Sequence, residues 1–432
     1  MNSQNKLLAN GLLILSIAIL IVFYWSTQDA VSLNDGHPYD AQSYHNMAEQ
    51  VSLGKPISEI SPFAYRFALP YIVGKLSPGD LDTGFKIVNI AFGLLTIGVL
   101  YIYIGRFVTS STIVLFSILL YVINPNSPLR FSHFISAYTD PPALFFILLL
   151  LLLSSVVQRM NLKWLVIVSS VGVVGMLFRE IVLCGVLVFS FTQCAKLKLS
   201  APFIEFSKIR TQYLGLLALL PPLVALIMTH SFVDGVGGYR ISNQIIAVLG
   251  YLTEEPGGYL LSWLTAFGCV PIVIALLCSK SMLKFLDRNQ SIVIFFMGSA
   301  VLPLVSGFHT DRIVYWSYPA ILVLFAYVLE NHPIRYARWP MKLGFFAPLV
   351  MAQILAFRVW LPIPDDPLGE LAYPGLPEYF LFTSFGEATL GHTYASTMLT
   401  ATRIEMAAQY LILAFISGIT IYLFNRSIRT AK

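Results

Sequence analysis

Charge is what this 432-residue sequence has least of. Asp, Glu, Lys and Arg together make up 11% of the chain, and 57% of its residues are hydrophobic. Soluble globular proteins carry about a quarter charged residues. The mean hydropathy of +0.74 points the same way. This composition excludes an ordinary soluble domain and indicates a membrane protein.

Cysteine and several well-known motifs are also scarce or missing. The four cysteines fall within or at the ends of apolar runs, where they are expected to be small buried side chains: Cys184, Cys194, Cys269 and Cys278. Their spacing forms neither a disulfide framework nor a metal motif. The sequence contains no P-loop, no dinucleotide-binding glycine pattern and no Gly-x-Ser-x-Gly elbow. The usual sequence marks of nucleotide binding and serine hydrolysis are therefore absent.

What the sequence does have is apolar runs along its whole length. Runs that can cross about 30 Å of hydrocarbon predict an all-α, polytopic transmembrane bundle, whereas a β-barrel has short alternating segments. No internal repeat is visible, so residues 1–432 are expected to form a single membrane domain. The first run is expected to stay as an anchor, since no small-residue cleavage site follows it. Twelve spans are predicted: 7–25, 86–105, 109–123, 139–157, 164–178, 181–194, 211–229, 259–278, 291–307, 313–330, 343–361 and 404–425.

The distribution of basic residues predicts the orientation. With the N-terminus in the cytoplasm, the inner segments hold 17 of the 27 Lys and Arg residues but only 3 of the 22 acidic residues. Cytoplasmic segments of membrane proteins are enriched in Lys and Arg. The net charge of +5 reflects this asymmetry and does not indicate nucleic-acid binding. A bacterial inner membrane, with the site facing the periplasm, is the expected location.

The long polar segments then lie outside, as a first loop at about 26–85 and a last loop at about 362–403. Loops held by a rigid scaffold commonly carry function. In the first loop, "DAQSYHNMAEQVSLG" is typical of an amphipathic surface helix that begins near Asp40 and ends at Gly54. The aromatic stretch "SPFAYRFALPYIVGKL" predicts a second interfacial segment.

Two carboxylates of the first loop are candidates for catalysis. Asp40 can act as a general base that takes a proton from an acceptor hydroxyl, or as the cap of the surface helix. Asp35 is the competing carboxylate, within Asn34–Asp35–Gly36, a pattern that also favours a simple turn.

Several charged residues near the outer ends of the spans are candidates for substrate binding. Arg66 can hold a phosphate or extend toward lipid headgroups. Arg179 and Glu180 can pair with each other, or Arg179 can face a cavity and bind an anion. Asp140 lies at the mouth of the fourth span, where it can also cap the helix ahead of Pro141. Ionisable groups at such depth usually pair or serve a site.

A divalent cation is a possible cofactor, but the sequence leaves the metal ligands unknown. His309 and Asp311 form a weak His-x-Asp pair, and Asp311 can equally pair with Arg312. His37 and His45 have no third ligand near them in sequence, so they predict no zinc site.

The first loop resembles that of GT-C-fold glycosyltransferases, which are polytopic enzymes that use polyprenyl-phosphate sugars. The resemblance rests on Asp40, on Tyr44 four residues later, on "GKP" at 54–56 and on "YRFALP" before the second span. "HPYD" is similar to the His-Pro-Asp-Glu signature of some members, although Tyr39 interrupts it and Ala41 replaces the second acid. The topology of about the first 320 residues fits.

The resemblance implies that Asp40 is the catalytic base and that Asp140 supplies the second acidic position; it leaves metal dependence open. The expected activity is transfer of a sugar from a polyprenyl-phosphate donor to an acceptor hydroxyl at the outer face. Membrane lipids are further expected partners, and the acceptor is unknown. The alternative is a multi-spanning transporter or flippase of a lipid-linked or small polar substrate, which would need polar sites near the midplane. A polymerase or ligase of the same topology and a non-catalytic scaffold subunit also remain open.

Overall fold

The structure of the chain is a computed structural model that describes residues 3–31, 33–37, 40–200, 203–209, 214–237, 263–264, 266–302, 310–357, 359 and 395–430. Helices dominate these residues. The helices of the N-terminal half are α1 (Ser3–Thr27), α2 (Asp40–Ser52), α3 (Ala68–Leu76), α4 (Leu81–Gly105), α5 (Ser111–Ile123), α6 (Pro128–Phe134), α7 (Asp140–Val156), α8 (Leu162–Phe178), α9 (Val182–Cys194), α10 (Leu214–Leu217) and α11 (Leu220–Phe232).

The later helices follow the same pattern of apolar runs and short connections. They are α12 (Val270–Leu277), α13 (Lys280–Arg288), α14 (Gln290–Val301), α15 (Thr310–Tyr315), α16 (Tyr318–Glu330), α17 (Trp339–Ala356) and α18 (Ala395–Thr430). Single 3₁₀ turns occur at Leu33–Gly36, Phe63–Tyr65 and Pro333–Tyr336. Proline occupies the first turn of α7, α16 and α17, where no backbone N–H donor is needed.

Strands are few and short in the described part of the chain. β1 (Ser58–Glu59) pairs in parallel with β4 (Asp234–Gly235), and β2 (Ala195–Ser200) pairs antiparallel with β3 (Phe203–Ile209). The sequence analysis predicted neither pair. The β1–β4 pair joins the first loop to the segment that follows α11.

The helices confirm the prediction of an all-α, multi-pass membrane protein. Among the described residues, six helical stretches are long and apolar enough to cross a membrane, and five shorter apolar helices accompany them. Eleven of the twelve predicted spans correspond to these stretches. The remaining span, 259–278, is described only from residue 263 onward, and there the structure has α12.

Two packed regions position the site. The larger core lies among the membrane-length helices, with Phe116, Tyr121, Tyr318 and Phe325 fully buried in it. A second cluster packs α2 and α3 onto the start of α4 and onto Phe131, Phe134 and Tyr138. The first loop is therefore a folded layer on one end of the bundle.

The helix ends define two ends of the bundle. α8 ends at Phe178 and α9 begins at Val182, so the Arg179–Glu180 turn marks one end, which also receives the start of α7. We call it the site end. α16 runs for 13 residues from near Trp316 to Glu330, a length of about 20 Å. Glu330 therefore lies at the opposite end, with Thr109 and Arg335.

Candidate functional site

The first-loop helix forms as the hydrophobic stripe predicts. Ala41, Tyr44, Met47, Ala48 and Val51 of α2 are all buried. Residues at i, i+3, i+4 and i+7 share one face of a helix, and here that face packs on α3 and α4. The predicted turn before it is also confirmed, because Asp35 and Gly36 have φ angles of 55° and 90° within the 3₁₀ turn.

Arg66 is the buried centre of a polar network, in which the Glu180 side chain is 40% exposed. It follows the Phe63–Tyr65 turn, and only 6% of the residue is exposed. Its Nε donates to Glu180 Oε2 at 2.8 Å, its Nη2 donates to Glu180 Oε1, and its Nη1 donates to the Tyr44 hydroxyl at 3.0 Å. The two-pronged contact with Glu180 is the strong bidentate form of an Arg–carboxylate pair. It ties the first loop to the α8–α9 turn.

Arg179 forms a second pair beside the first. Its Nη1 donates to Asp140 Oδ1, and its guanidinium lies 5.0 Å from the centre of the Trp316 ring. The side chains of Arg179 and Asp140 are 12% and 6% exposed. The adjacent Arg179 and Glu180 thus do not pair with each other. Each bonds to a partner from another segment, so four segments of the chain meet at this network.

Electrostatics fix the protonation states of this cluster. Burial raises the pKa of Tyr44, although Arg66 and Arg179 oppose the shift, so the phenol stays neutral at pH 7. Burial works against charge on Glu180, but Arg66 overcomes it and lowers the pKa of that carboxyl. The same competition raises the pKa of Arg66, where Tyr44 and Glu180 outweigh burial. The site therefore holds two permanent cations and two carboxylates.

The two candidate bases differ in their relation to this network. Asp40 is the first residue of α2 and is partly exposed. It contributes to raising the pKa of Tyr44, one helical turn along α2. Asp35 is exposed within its turn. The structure thus brings Tyr44, Arg66, Asp140, Arg179 and Glu180 together, with Asp40 one helical turn from Tyr44 on α2. Asp35 lies in the exposed turn that precedes α2.

An apolar cavity of about 240 Å³ begins next to Arg179. It lies between α9 and α14, and Ile181 and Trp316 line it beside the network, with Cys184, Leu187 and Phe191 further along α9. Leu187 is 51% exposed and Phe191 is 36% exposed, so this part of the cavity faces the surroundings of the bundle. Trp316 is shared between the charged network and the cavity, and sequence reasoning missed it because it lies in an aromatic, apolar run.

Three of the residues predicted for the site have side chains that lie outside the described part of the structure. His309 lies outside the described residues, and Asp311 and Arg312 belong to α15 by backbone only. Their assignment to substrate or cation binding stays a prediction.

A separate cluster of metal-ligand side chains corrects the prediction made for His37 and His45. The Nε2 of His37 lies 2.9 Å from Asp82 Oδ1, and the rings of His37 and His45 are 3.9 Å apart. Burial and the neighbouring His37 lower the pKa of His45. Sequence reasoning missed Asp82 because it is 45 residues from His37, and no local spacing connects them.

Comparisons with known proteins give one likeness of fold. No family model and no curated protein matches the chain. Among solved structures, the chain is similar to the crystal structure of ArnT from Cupriavidus metallidurans bound to undecaprenyl phosphate. The identity is 14%, the match covers 96% of this chain and 76% of that chain, and the TM-score is 0.45. At that level the likeness assigns no activity, and function has to be inferred from the residues of the site.

Proposed function

We propose that the chain is a membrane glycosyltransferase that moves a sugar from a polyprenyl-phosphate donor to an acceptor hydroxyl at the outer face of a bacterial inner membrane. The observation that carries the proposal is the continuity between Arg179 and the apolar cavity through Trp316. A lipid phosphate requires a cation next to an apolar channel that is open toward the bilayer. Both are adjacent here.

The tail and the phosphate fit different parts of this arrangement. At about 240 Å³ the cavity is smaller than the roughly 300–1,000 Å³ of a drug-sized pocket. It would therefore hold only the part of the tail nearest the phosphate, and the remaining tail would lie in the bilayer. The phosphate would be held at Arg179, with Arg66 adding positive potential from the neighbouring pair.

The two ion pairs leave a specific role for Asp40. Asp140 and Glu180 are already bonded to guanidinium groups, so we assign the proton transfer to neither of them. Asp40 is a partly exposed carboxylate beside Tyr44. It would take the proton of the acceptor hydroxyl as that oxygen attacks the anomeric carbon. The bond from that carbon to the phosphate oxygen breaks, and polyprenyl phosphate leaves beside Arg179.

The transition state of such a displacement accumulates charge on the departing phosphate. A preorganised guanidinium placed there stabilises the transition state without reorganisation, which is commonly the largest source of rate. The pairs with Asp140 and Glu180 hold both guanidinium groups in place before the substrate arrives. Asp35 is the second candidate base, in the exposed turn that precedes α2.

The position of the charges favours this proposal over a transporter. Three arginine–carboxylate pairs in the described part of the chain lie at the two ends of the bundle: Arg66–Glu180 and Arg179–Asp140 at the site end, and Arg335–Glu330 at the opposite end. The His37–Asp82 pair also lies at the site end. Transporters commonly place their polar sites near the midplane.

The test is to incubate the purified protein in nanodiscs with a panel of polyprenyl-phosphate sugars and candidate acceptors, and to measure release of polyprenyl phosphate. We expect Asp40→Asn to lower the rate by about 10²–10⁴-fold, the range for loss of a general base. Asp29→Asn is the matched control, because Asp29 is an exposed carboxylate earlier in the same loop.

Asp35→Asn identifies which carboxylate acts as the base. An unchanged rate in Asp40→Asn with a large loss in Asp35→Asn would reassign the base to Asp35. Unchanged turnover in both variants would exclude the proposed mechanism. Movement of a lipid-linked sugar across proteoliposomes, without consumption of any donor, would instead establish the transporter alternative.

A further inference from the structure

His37, His45 and Asp82 form a cluster that the proposed transfer does not use. Each offers one ligand atom, and these atoms all lie within 4.8 Å of one another. They come from three elements: the segment after the Leu33–Gly36 turn, helix α2 and the first turn of α4. The arginine network faces another side of α2, because Tyr44 and His45 are adjacent residues and point about 100° apart on a helix.

The geometry points to a divalent metal site in which His37, His45 and Asp82 bind zinc through two imidazole nitrogens and one carboxylate oxygen. Zinc bonds of about 2.0–2.1 Å in tetrahedral geometry place ligand atoms roughly 3.3 Å apart. The 2.9 Å between His37 Nε2 and Asp82 Oδ1 is already close to that spacing.

The remaining adjustment falls on side chains that have room to move. His45 is half-buried, and the Asp82 side chain is 48% exposed. The His37 and His45 rings are tilted by 39°, so a modest rotation lets their nitrogens converge. The exposed side of Asp82 gives an ion a path of entry and leaves the fourth position to water. Ser136 Oγ donates to Asp82 Oδ1 at 3.2 Å, which orients the carboxylate as outer partners of metal ligands do.

The ligand set selects the class of metal. Magnesium and calcium prefer all-oxygen sites, whereas two imidazoles with a carboxylate suit zinc and its neighbours in the first transition row. No thiolate belongs to the cluster. The site is therefore expected to hold Zn²⁺, and to accept Co²⁺ as a spectroscopic substitute.

A metal at this position would tie the segment carrying Asp35 and His37 to α2 and α4. These elements lie up to 45 residues apart in the chain, and a common ligand bond joins them directly. Metal binding to the folded state alone raises stability by mass action. The inferred role is to fix the fold of the first loop, on which the network around Tyr44 and Arg66 is built.

The experiment uses the full chain without a histidine tag, stripped with a chelator and dialysed. Binding of Zn²⁺ is measured by titration calorimetry and by elemental analysis, and Co²⁺ by its visible absorption. We expect one Zn²⁺ per chain, a higher Tm with Zn²⁺ than after chelation, and a Co²⁺ spectrum without a thiolate charge-transfer band. His45→Gln and Asp82→Asn are expected to weaken binding at least tenfold.

Two control variants keep the test specific. His230→Gln removes a histidine that stacks on Tyr65 outside the cluster, and it should leave zinc binding unchanged. Asp82→Glu retains a carboxylate at an exposed position and should keep most of the affinity, which separates loss of a ligand from loss of folding. The inference is overturned if the wild type binds less than one equivalent, or if His45→Gln and Asp82→Asn bind as the wild type does. Metal binding, Tm and the Co²⁺ spectrum are all measured without sugar transfer, so the test is independent of the proposed function.

Discussion

At the site end of the bundle, the side chains of Arg66, Arg179 and Asp140 are 7%, 12% and 6% exposed, while Glu180, the partner of Arg66, is 40% exposed. At the opposite end, Glu330 is 8% exposed and its partner Arg335 is 34% exposed. This pair resembles Arg66–Glu180 in burial and differs from Arg179–Asp140, in which both side chains are largely buried. The Glu330 carboxylate is held by Arg335 in the turn that follows α16 and by Thr109, which is 221 residues away in the chain. Thr109 donates to it through its backbone N–H at 3.0 Å and through its hydroxyl at 2.6 Å.

The ion pairs at the two ends differ in the role that they have in the protein. A buried ion pair adds little net stability, because desolvation offsets most of the Coulombic attraction. The site end nevertheless keeps two arginines in place, beside a cavity and a partly exposed aspartate. The opposite end uses one carboxylate to join the start of α5 to the end of α16. We infer that function explains the charges of the site end and that connection of helices explains those of the opposite end.

The largest expected effect comes from breaking the Arg179–Asp140 pair. Arg179→Met leaves the Asp140 carboxylate buried without its cation, and removal of one partner of a buried pair costs about 3–5 kcal/mol. The double variant Arg179→Met/Asp140→Leu removes both charges and should recover much of that loss. Chemical unfolding in detergent measures both. A single variant as stable as the wild type would contradict the contrast between the ends.

A smaller effect is expected from Glu330→Ala at the opposite end. The variant removes bonds to Thr109 and Arg335, and we expect a loss of about 1–2 kcal/mol because water can replace the contact of the exposed arginine. Sugar transfer by the folded fraction should stay unchanged, since Glu330 lies about 20 Å of helix away from Trp316. A loss of transfer in folded Glu330→Ala protein would remove the functional distinction between the ends.

The sequence predicted local features of both ends well. The buried stripe of α2 and the turn at Asp35 follow from spacing and turn chemistry, which act over a few residues. The boundaries of most spans follow from apolar runs. What the sequence could not predict is which charges pair. Arg66 and Glu180 are 114 residues apart, and Arg179 and Asp140 are 39 apart.

The reason for that limit is physical. In the sequence, charged residues at the ends of several helices are equivalent candidates for ion pairing, because the packing of the helices determines which ends are neighbours. Adjacent Arg179 and Glu180 were an obvious pair by sequence, but the turn between α8 and α9 directs them to different partners. Asp82 is the same kind of case, because only the docking of α2 on α4 brings it to His37 and His45.

The N-cap of α8, at the opposite end, tests how much a single local hydrogen bond contributes to stability. The Asn161 side chain accepts from the Trp164 N–H at 3.1 Å. Asn161→Ala should cost about 1 kcal/mol, as for other N-cap losses, while Asn161→Asp should keep the cap. Thermal unfolding of both variants measures this. If Asn161→Ala matches the cost of breaking the Arg179 pair, stability at the two ends is governed by the same local terms.

The smallest expected effect is on the stability of the protein at mildly acidic pH. Burial lowers the pKa of His332, whose Nδ1 accepts from the Ile334 N–H and whose Nε2 lies 3.1 Å from Asn425 Oδ1. The unfolded chain therefore binds this proton more readily. The contribution of neutral His332 is present above the ordinary histidine pKa of about 6.5 and is lost as pH falls through the lowered value. Arg66 likewise lowers the pKa of Glu180 against burial, so the site end keeps that contribution until pH falls below the ordinary glutamate range.

Unfolding measured across mildly acidic pH should be less pH-dependent in His332→Gln than in the wild type. His45→Gln serves as the comparison at the site end, since His45 also has a lowered pKa. Identical pH profiles for the wild type and His332→Gln would show that His332 contributes no acid-sensitive stability at the opposite end.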